Sequence, residues 1–279
     1  MARLLPHEWL FGAYLALTWL RLVAAQGVLG GDALIYLAGL GLAAGLAVWG
    51  ERRATATAWR WRLLYYPVAM NLYFQEMRNA IPALTAYRFD ADLRAIDRIL
   101  LPDSPAFLLQ PYANPALTEL FSLAYLLFFP YLLFSLIYYF VGELPRLKAF
   151  VAGLFSLYGI GFLGYTLVPA AGPYLAYDFA APLAGGQLTA WNAELVRQGS
   201  IGVDVFPSLH VAVSGYLLGF DFRHKRRRFW AYLGPCVLLW LSTQYLRYHY
   251  FIDVLAGVAL ALFALRVAER QYRLERIDS

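Results

Sequence analysis

The chain predicts an all-α integral membrane protein of about eight transmembrane helices, and three observations lead there. Hydrophobic residues fill 61% of its 279 positions and charged residues 15%, a balance far from that of a water-soluble domain. Apolar stretches approaching the ~20 residues that cross a bilayer recur along the whole length. The basic residues also fall asymmetrically. If the N-terminus is inside and every stretch crosses, Arg52, Arg53, Arg60, Arg62, Arg146, Lys148, the run from Arg223 to Arg228 and the arginines from Arg266 onward all lie on the inner side.

Taken in order, the expected spans are about 9–26, 31–50, 62–81, 117–141, 148–169, 206–221, 229–246 and 250–268. The first resembles a secretory signal, but Arg21 interrupts its end, so a retained span is expected. Spans one and two form an N-terminal helix pair over 1–60, set off by the basic turn from Glu51 to Arg62. Residues 61–279 then form a six-helix core. After span three, Phe89, Leu93, Ile96 and Leu100 share one face of a helical stretch, with Asp90, Asp92, Arg94, Asp97 and Arg98 largely on others. That pattern suits a helix in the membrane interface or a lid packed on the bundle. The loop from Pro169 to Asp204 leads straight into the sixth span and is expected to cap a site there.

The net charge of +5 does not point to nucleic acid, because the basic residues flank spans and face lipid headgroups. A lone cysteine, Cys236, excludes an intramolecular disulfide and a multi-cysteine metal site.

Two polar islands interrupt the apolar pattern, Phe206-Pro207-Ser208-Leu209-His210 and the stretch from Ser242 to Asp253. They hold two of the four histidines. Asp253 follows His249 by one helical turn, so its carboxylate can hold one ring nitrogen and make the other more nucleophilic. Ionisable groups at membrane depth are costly and mark function by default. In the eight-span topology both histidines meet at the outer face. Arg78 arrives at similar depth from span three, and Arg247 precedes His249 by two residues. The start of span six offers free N–H groups, and Ser208 a hydroxyl, for a phosphate.

Such a group suits phosphoryl transfer through a phosphohistidine without a metal or cofactor. One histidine attacks phosphorus, the carboxylate orients it, and the second histidine serves as general acid and base. Arginines and backbone amides neutralise the equatorial oxygens.

The Pro-Ser-Leu-His and His-Tyr-Phe-Ile-Asp islands resemble the second and third motifs of the type 2 phosphatidic acid phosphatase superfamily. The nearest likeness is to its inositol phosphorylceramide synthase branch, which is similar at Phe206 to His210 and in a Ser-Thr pair like Ser242-Thr243. The resemblance covers about 60–280. It implies His249 as nucleophile, Asp253 as its orienting partner and His210 as general acid/base. The chain departs from the wider superfamily in having Leu209 for Gly and Thr243 for Arg, and in lacking the lysine-led first motif. Arg78, with Arg247 as a second donor, is the expected substitute.

The expected function is therefore a membrane-embedded lipid phosphotransferase that moves a phosphoryl-linked head group from a phospholipid to a lipid alcohol. The alternative is a lipid-phosphate phosphatase acting on a phosphatidate-like or polyprenyl (di)phosphate substrate. Its partners are lipid substrates. A carrier or inactive scaffold, and a metal-dependent hydrolase using His210, His249 and Asp253 as ligands, are the competing classes. Both termini are expected in the cytoplasm and the site at the outer face.

Overall fold

The computed structural model describes residues 4–277, so the extreme termini, and with them any direct view of their sidedness, lie outside the described residues. In chain order the α-helices are α1 Pro6–Gln26, α2 Gly31–Arg53, α3 Ala56–Leu84, α4 Asp90–Leu100, α5 Pro105–Leu108, α6 Pro115–Leu126 and α7 Phe128–Phe140. They continue as α8 Leu144–Leu167, α9 Pro173–Ala176, α10 Gln187–Gly199, α11 Leu209–His224, α12 Arg226–Tyr245 and α13 Phe251–Ile277. Among the described residues the fold is all-α, with one isolated β-bridge between Ala170 and Asp204.

Each expected span overlaps a helix, 117–141 overlaps two, and among the described residues four segments are long and apolar enough to cross a membrane: Gly31–Arg53, Pro115–Phe140, Leu144–Leu167 and Phe251–Ile277. The others differ for visible reasons. The α1 helix carries His7, Glu8 and Arg21, α3 carries Arg60, Arg62, Glu76 and Arg78, and α12 opens on three arginines. The α11 helix has only 16 residues and starts at Leu209, because Ser208 caps it by accepting from Val211 N. The expected span 117–141 breaks after Leu126 into α6 and α7. Pro130, in the first turn of α7, has no N–H to return to residue 126.

The chain forms two compact units. Among the described residues, one comprises 4–86, 136–167 and 263–277. Its core is aromatic, with Phe11, Tyr14, Tyr36, Tyr73 and Phe162 meeting at centroid distances of 5.0–6.5 Å. Their hydroxyls are satisfied internally: Tyr14 bonds Tyr36, and Tyr73 donates to Ile35 O. Arg62 is buried here, with Nε 2.6 Å from Glu8 Oε1 and NH2 2.5 Å from Glu8 Oε2. Its NH1 reaches Ala47 O and Glu51.

The second unit comprises residues 87–135 and 168–262. Here α12 packs on α6 and α11, and α10 packs on α6. At its core Tyr131 donates to the fully buried Asp221, which also receives Arg228 Nε. A smaller cluster of Leu93, Ala170, Val205 and Tyr250 binds α4 to the segments around the two polar islands. The face of α4 turned inward is Asp90, Leu93 and Asp97, while Ile96, Ile99 and Leu100 are exposed. Of the apolar stripe read from the sequence, Leu93 is in the core of this unit and the half-buried Phe89 packs against it, while Ile96 and Leu100 face outward.

Candidate active site

The second unit brings both polar islands together. Ser208 N donates to Asp253 O at 3.0 Å, tying the start of α11 to the first turn of α13. This close approach needs Gly257, where a Cβ would stand 2.6 Å from Ser208 O. The functional side chains sit at these helix starts: His210 is the second residue of α11, His249 lies in the turn before α13, and Asp253 is in the first turn of α13. The rings of His210 and His249 face each other with centroids 5.9 Å apart and planes at 61°.

His249 lies between α12 and α13, almost fully buried. Thr243 O accepts from both Tyr248 N and His249 N, which fixes the backbone of the turn. Asp253 Oδ2 stands 3.4 Å from His249 Nδ1 and accepts from Tyr250 N at 2.8 Å. His249 Nδ1 and Asp253 Oδ1 have no hydrogen-bond partner. A second carboxylate, Asp204, acts on the same ring. Burial pushes the His249 imidazole down to about 4, while Asp204 and the Val205 backbone pull the other way by favouring the charged ring. Burial likewise pushes the Asp204 carboxyl up, opposed by the Ser200 hydroxyl 2.6 Å from its Oδ1.

His210 is held by aromatics. Tyr125 of α6 lies over it at 4.5 Å with its hydroxyl 3.5 Å from Nδ1, and Phe128 approaches at 4.7 Å. Tyr125 also packs on Tyr248, so one ring touches both islands.

The long loop closes over this turn. Gly172, at φ 86°, lets the loop run against Tyr248 O, which a Cβ would meet at 2.5 Å. Tyr174 stacks edgewise on Tyr248, and Asn192 of α10 donates to its hydroxyl. Arg247, with φ 67°, sends NH1 and NH2 to Ala181 O and lies 3.9 Å over Phe179. Each terminal nitrogen keeps a second N–H. Ser208 Oγ accepts from Val211 N, which leaves its proton to donate. Arg78 is exposed on α3 and belongs to the other unit.

The PAP2 superfamily model matches residues 91–267, more than half of the chain and all of both islands. The chain belongs to the PAP2 superfamily. A PA-phosphatase related-family protein of Dictyostelium discoideum is 32% identical over 130 residues, 43% of this chain. The match spans 23% of that relative's length. No solved structure matches. PAP2 membership points to phosphatase or phosphotransferase chemistry in an integral membrane protein.

Among the described residues, no three His, Cys, Asp or Glu side chains form a group able to hold a metal ion. Sequence reasoning found the His249–Asp253 pair that spacing reveals and missed Tyr125 beside His210, Asp204 near His249, and Asn192 on the Tyr248 hydroxyl. Asp204, six residues before His210, was legible only as the end of a loop.

Proposed function

We propose that this PAP2 protein is a lipid phosphotransferase working through a phosphohistidine on His249. The observation that carries the reading is the pair of adjacent imidazoles, edge to face at 5.9 Å, with Asp253 Oδ2 3.4 Å from His249 Nδ1 and the Asp204 carboxylate favouring the charged form of the same ring.

In the first half-reaction His249 Nε2 attacks the phosphorus of a phospholipid, with Nδ1 turned to Asp253. The bond from phosphorus to the departing lipid oxygen breaks, and His210 gives that oxygen its proton. The ring gains positive charge, which the two carboxylates offset. In the second half, His210 takes the proton of an incoming lipid alcohol as its oxygen attacks phosphorus and the P–N bond breaks. Ser208, the remaining N–H groups of Arg247, and Arg78 are the proposed donors to the phosphate oxygens. The site is proposed to open at the outer face, with both termini in the cytoplasm and residues 61–279 as the catalytic core.

Transfer is favoured over hydrolysis by the likeness to the inositol phosphorylceramide synthase branch. It is also favoured by the aromatic loop through Tyr174, Tyr177 and Phe179, which limits water and offers apolar surface to a second lipid. Hydrolysis is the second reading, favoured by the Dictyostelium relative, whose name refers to PA-phosphatases. Protein purified in micelles and given a panel of phospholipids, with and without a lipid alcohol, separates them by mass spectrometry. A new phospholipid bearing the donor's head group supports transfer, and inorganic phosphate alone supports hydrolysis. A parent protein that processes no phospholipid overturns both.

A further inference from the structure

The first turn of α13 carries Asp253, yet much of what holds that turn comes from elsewhere. Phe251 N donates to Asp97 Oδ2 at 2.8 Å and Ile252 N donates to Asp97 Oδ1 at 2.9 Å. Asp97 is fully buried, so both oxygens of one carboxylate are spent on two successive backbone donors of a helix 154 residues away. With Tyr250 N bound by Asp253, three N–H groups in a row end on carboxylates. Two of the three are supplied by α4. Such charge-assisted bonds at a helix N-terminus are among the stronger ones, because the anion also faces the positive end of the helix dipole.

Asp90, seven residues earlier on the same face of α4, performs the companion task. Its Oδ1 accepts from the Tyr250 hydroxyl at 2.9 Å and from Gly172 N at 2.9 Å. Ala171 N reaches both of its oxygens at 3.0–3.1 Å. The two acids thus grip Tyr250 by its side chain and residues 251 and 252 by their backbone. On the other flank Thr243 O holds residues 248 and 249. His249 is suspended between these two fixtures.

We propose that Asp97 and Asp90 are positioning residues that set the His249–Asp253 geometry, an inference that rests on the phosphohistidine reading. The 3.4 Å separation of Nδ1 and Oδ2 is just beyond a good hydrogen bond. A shift of the α13 first turn by a few tenths of an ångström decides whether that bond forms. This role also accounts for the orientation of α4, which turns two acids inward and leaves Ile96, Ile99 and Leu100 exposed. A helix kept only for its hydrophobic stripe would do the opposite.

The test compares Asp97→Asn with the parent and with Asp103→Asn, in full-length protein in micelles. Asp103 binds Arg94 and Arg98 of α4 without reaching α13, so its loss reports a merely structural loosening. Asparagine at 97 keeps one acceptor and turns an NH2 group toward the other donor. Turnover of the phospholipid identified in that panel, assayed with its lipid alcohol, should fall about 10²-fold in kcat, with KM within about twofold, because the substrate contacts are intact while the nucleophile is misplaced. Asp103→Asn should leave both near parent values. Two readouts need no substrate: amide exchange at residues 251–252, and the rate at which diethyl pyrocarbonate modifies His249. Both should change several-fold in Asp97→Asn and not in Asp103→Asn.

Parent-like exchange and modification in Asp97→Asn would overturn the proposal, whatever the activity. A parent that turns over no phospholipid of the panel counts against the proposed function, and the two substrate-free readouts still decide the role of Asp97. If Asp97→Asn does not accumulate as folded protein, Tyr250→Phe takes its place, since it removes only the hydroxyl held by Asp90. It should lower kcat roughly tenfold at unchanged KM, and parent-like kcat would overturn the proposal.

Discussion

The Asp253 carboxylate reaches His249 from one helical turn away, Oδ2 to Nδ1 at 3.4 Å, while its other oxygen has no partner. A residue so placed orients and charges its neighbour without touching the phosphate itself. The two substitutions should therefore differ in kind. His249→Ala removes the nucleophile and should abolish both turnover and any phosphoenzyme trapped by acid quench. Asp253→Asn should leave slow turnover, about 3 kcal/mol higher in barrier or roughly a hundredfold slower. Full activity in His249→Ala would sink the mechanism.

Burial of His249 has a consequence for pH. Its folded value, down to about 4, is below the ordinary histidine value of 6.5, so between the two the unfolded chain binds a proton that the folded chain refuses. Stability from this group is complete above about pH 6.5 and is lost as pH falls toward 4. The neutral, nucleophilic ring also persists well below pH 6.5. Modification of His249 by diethyl pyrocarbonate, followed by mass spectrometry, should proceed at a nearly constant rate from pH 7.5 down to about 5. A rate that halves near pH 6.5 would show an ordinary, solvated ring.

Arg78 is assigned to the phosphate without a motif, and its exposure on α3 also suits a plain interfacial anchor. Arg78→Lys separates the roles, since lysine keeps the charge and loses the bidentate fork. As a phosphate donor, Arg78→Ala should cost about 2–4 kcal/mol of transition-state stabilisation, and Arg78→Lys a substantial part of it. Turnover of Arg78→Lys within about twofold of the parent, at normal expression, would retire Arg78 and leave Arg247 as the donor to test.

Sidedness is accessible at Trp191, an exposed residue on α10. A cysteine placed there, with Cys236 replaced by serine, should react with a membrane-impermeant thiol reagent added from outside. The turn at 222–228 should be cut only by protease admitted to the cytoplasmic side. Labelling of position 191 from the cytoplasm alone would reverse the topology and the location of the site.

How much of this was legible in advance depended on range. Helices follow from local apolar runs, and the His249–Asp253 pair follows from a spacing of four. The break after Leu126 had a visible cause in Pro130, but the apolar run continues through it and masks the stop. Tyr125 is 85 residues from His210, and nothing local announces that its ring lies on the imidazole. The α4 helix shows the deeper difficulty. Hydrophobic periodicity assigns the inside face by oiliness, whereas Asp90 and Asp97 are inside because backbone N–H groups of α13 and of the 171–172 turn need acceptors there. In a membrane protein, where apolar surface is welcome outside, the pattern loses its sense of direction.

The Arg62–Glu8 contact in the first unit bears on how the protein can be handled. A guanidinium exposed at only 1% has been taken out of water, and Glu8 is the carboxylate that answers it from α1 at 2.5 Å. Removing α1 takes away the close, buried Glu8 partner and leaves that cation with only Glu51 at 3.3 Å. Removing one member of a buried pair costs about 3–5 kcal/mol. The opening helix, which holds none of the proposed chemistry, is for that reason a poor place to shorten the protein for crystallisation.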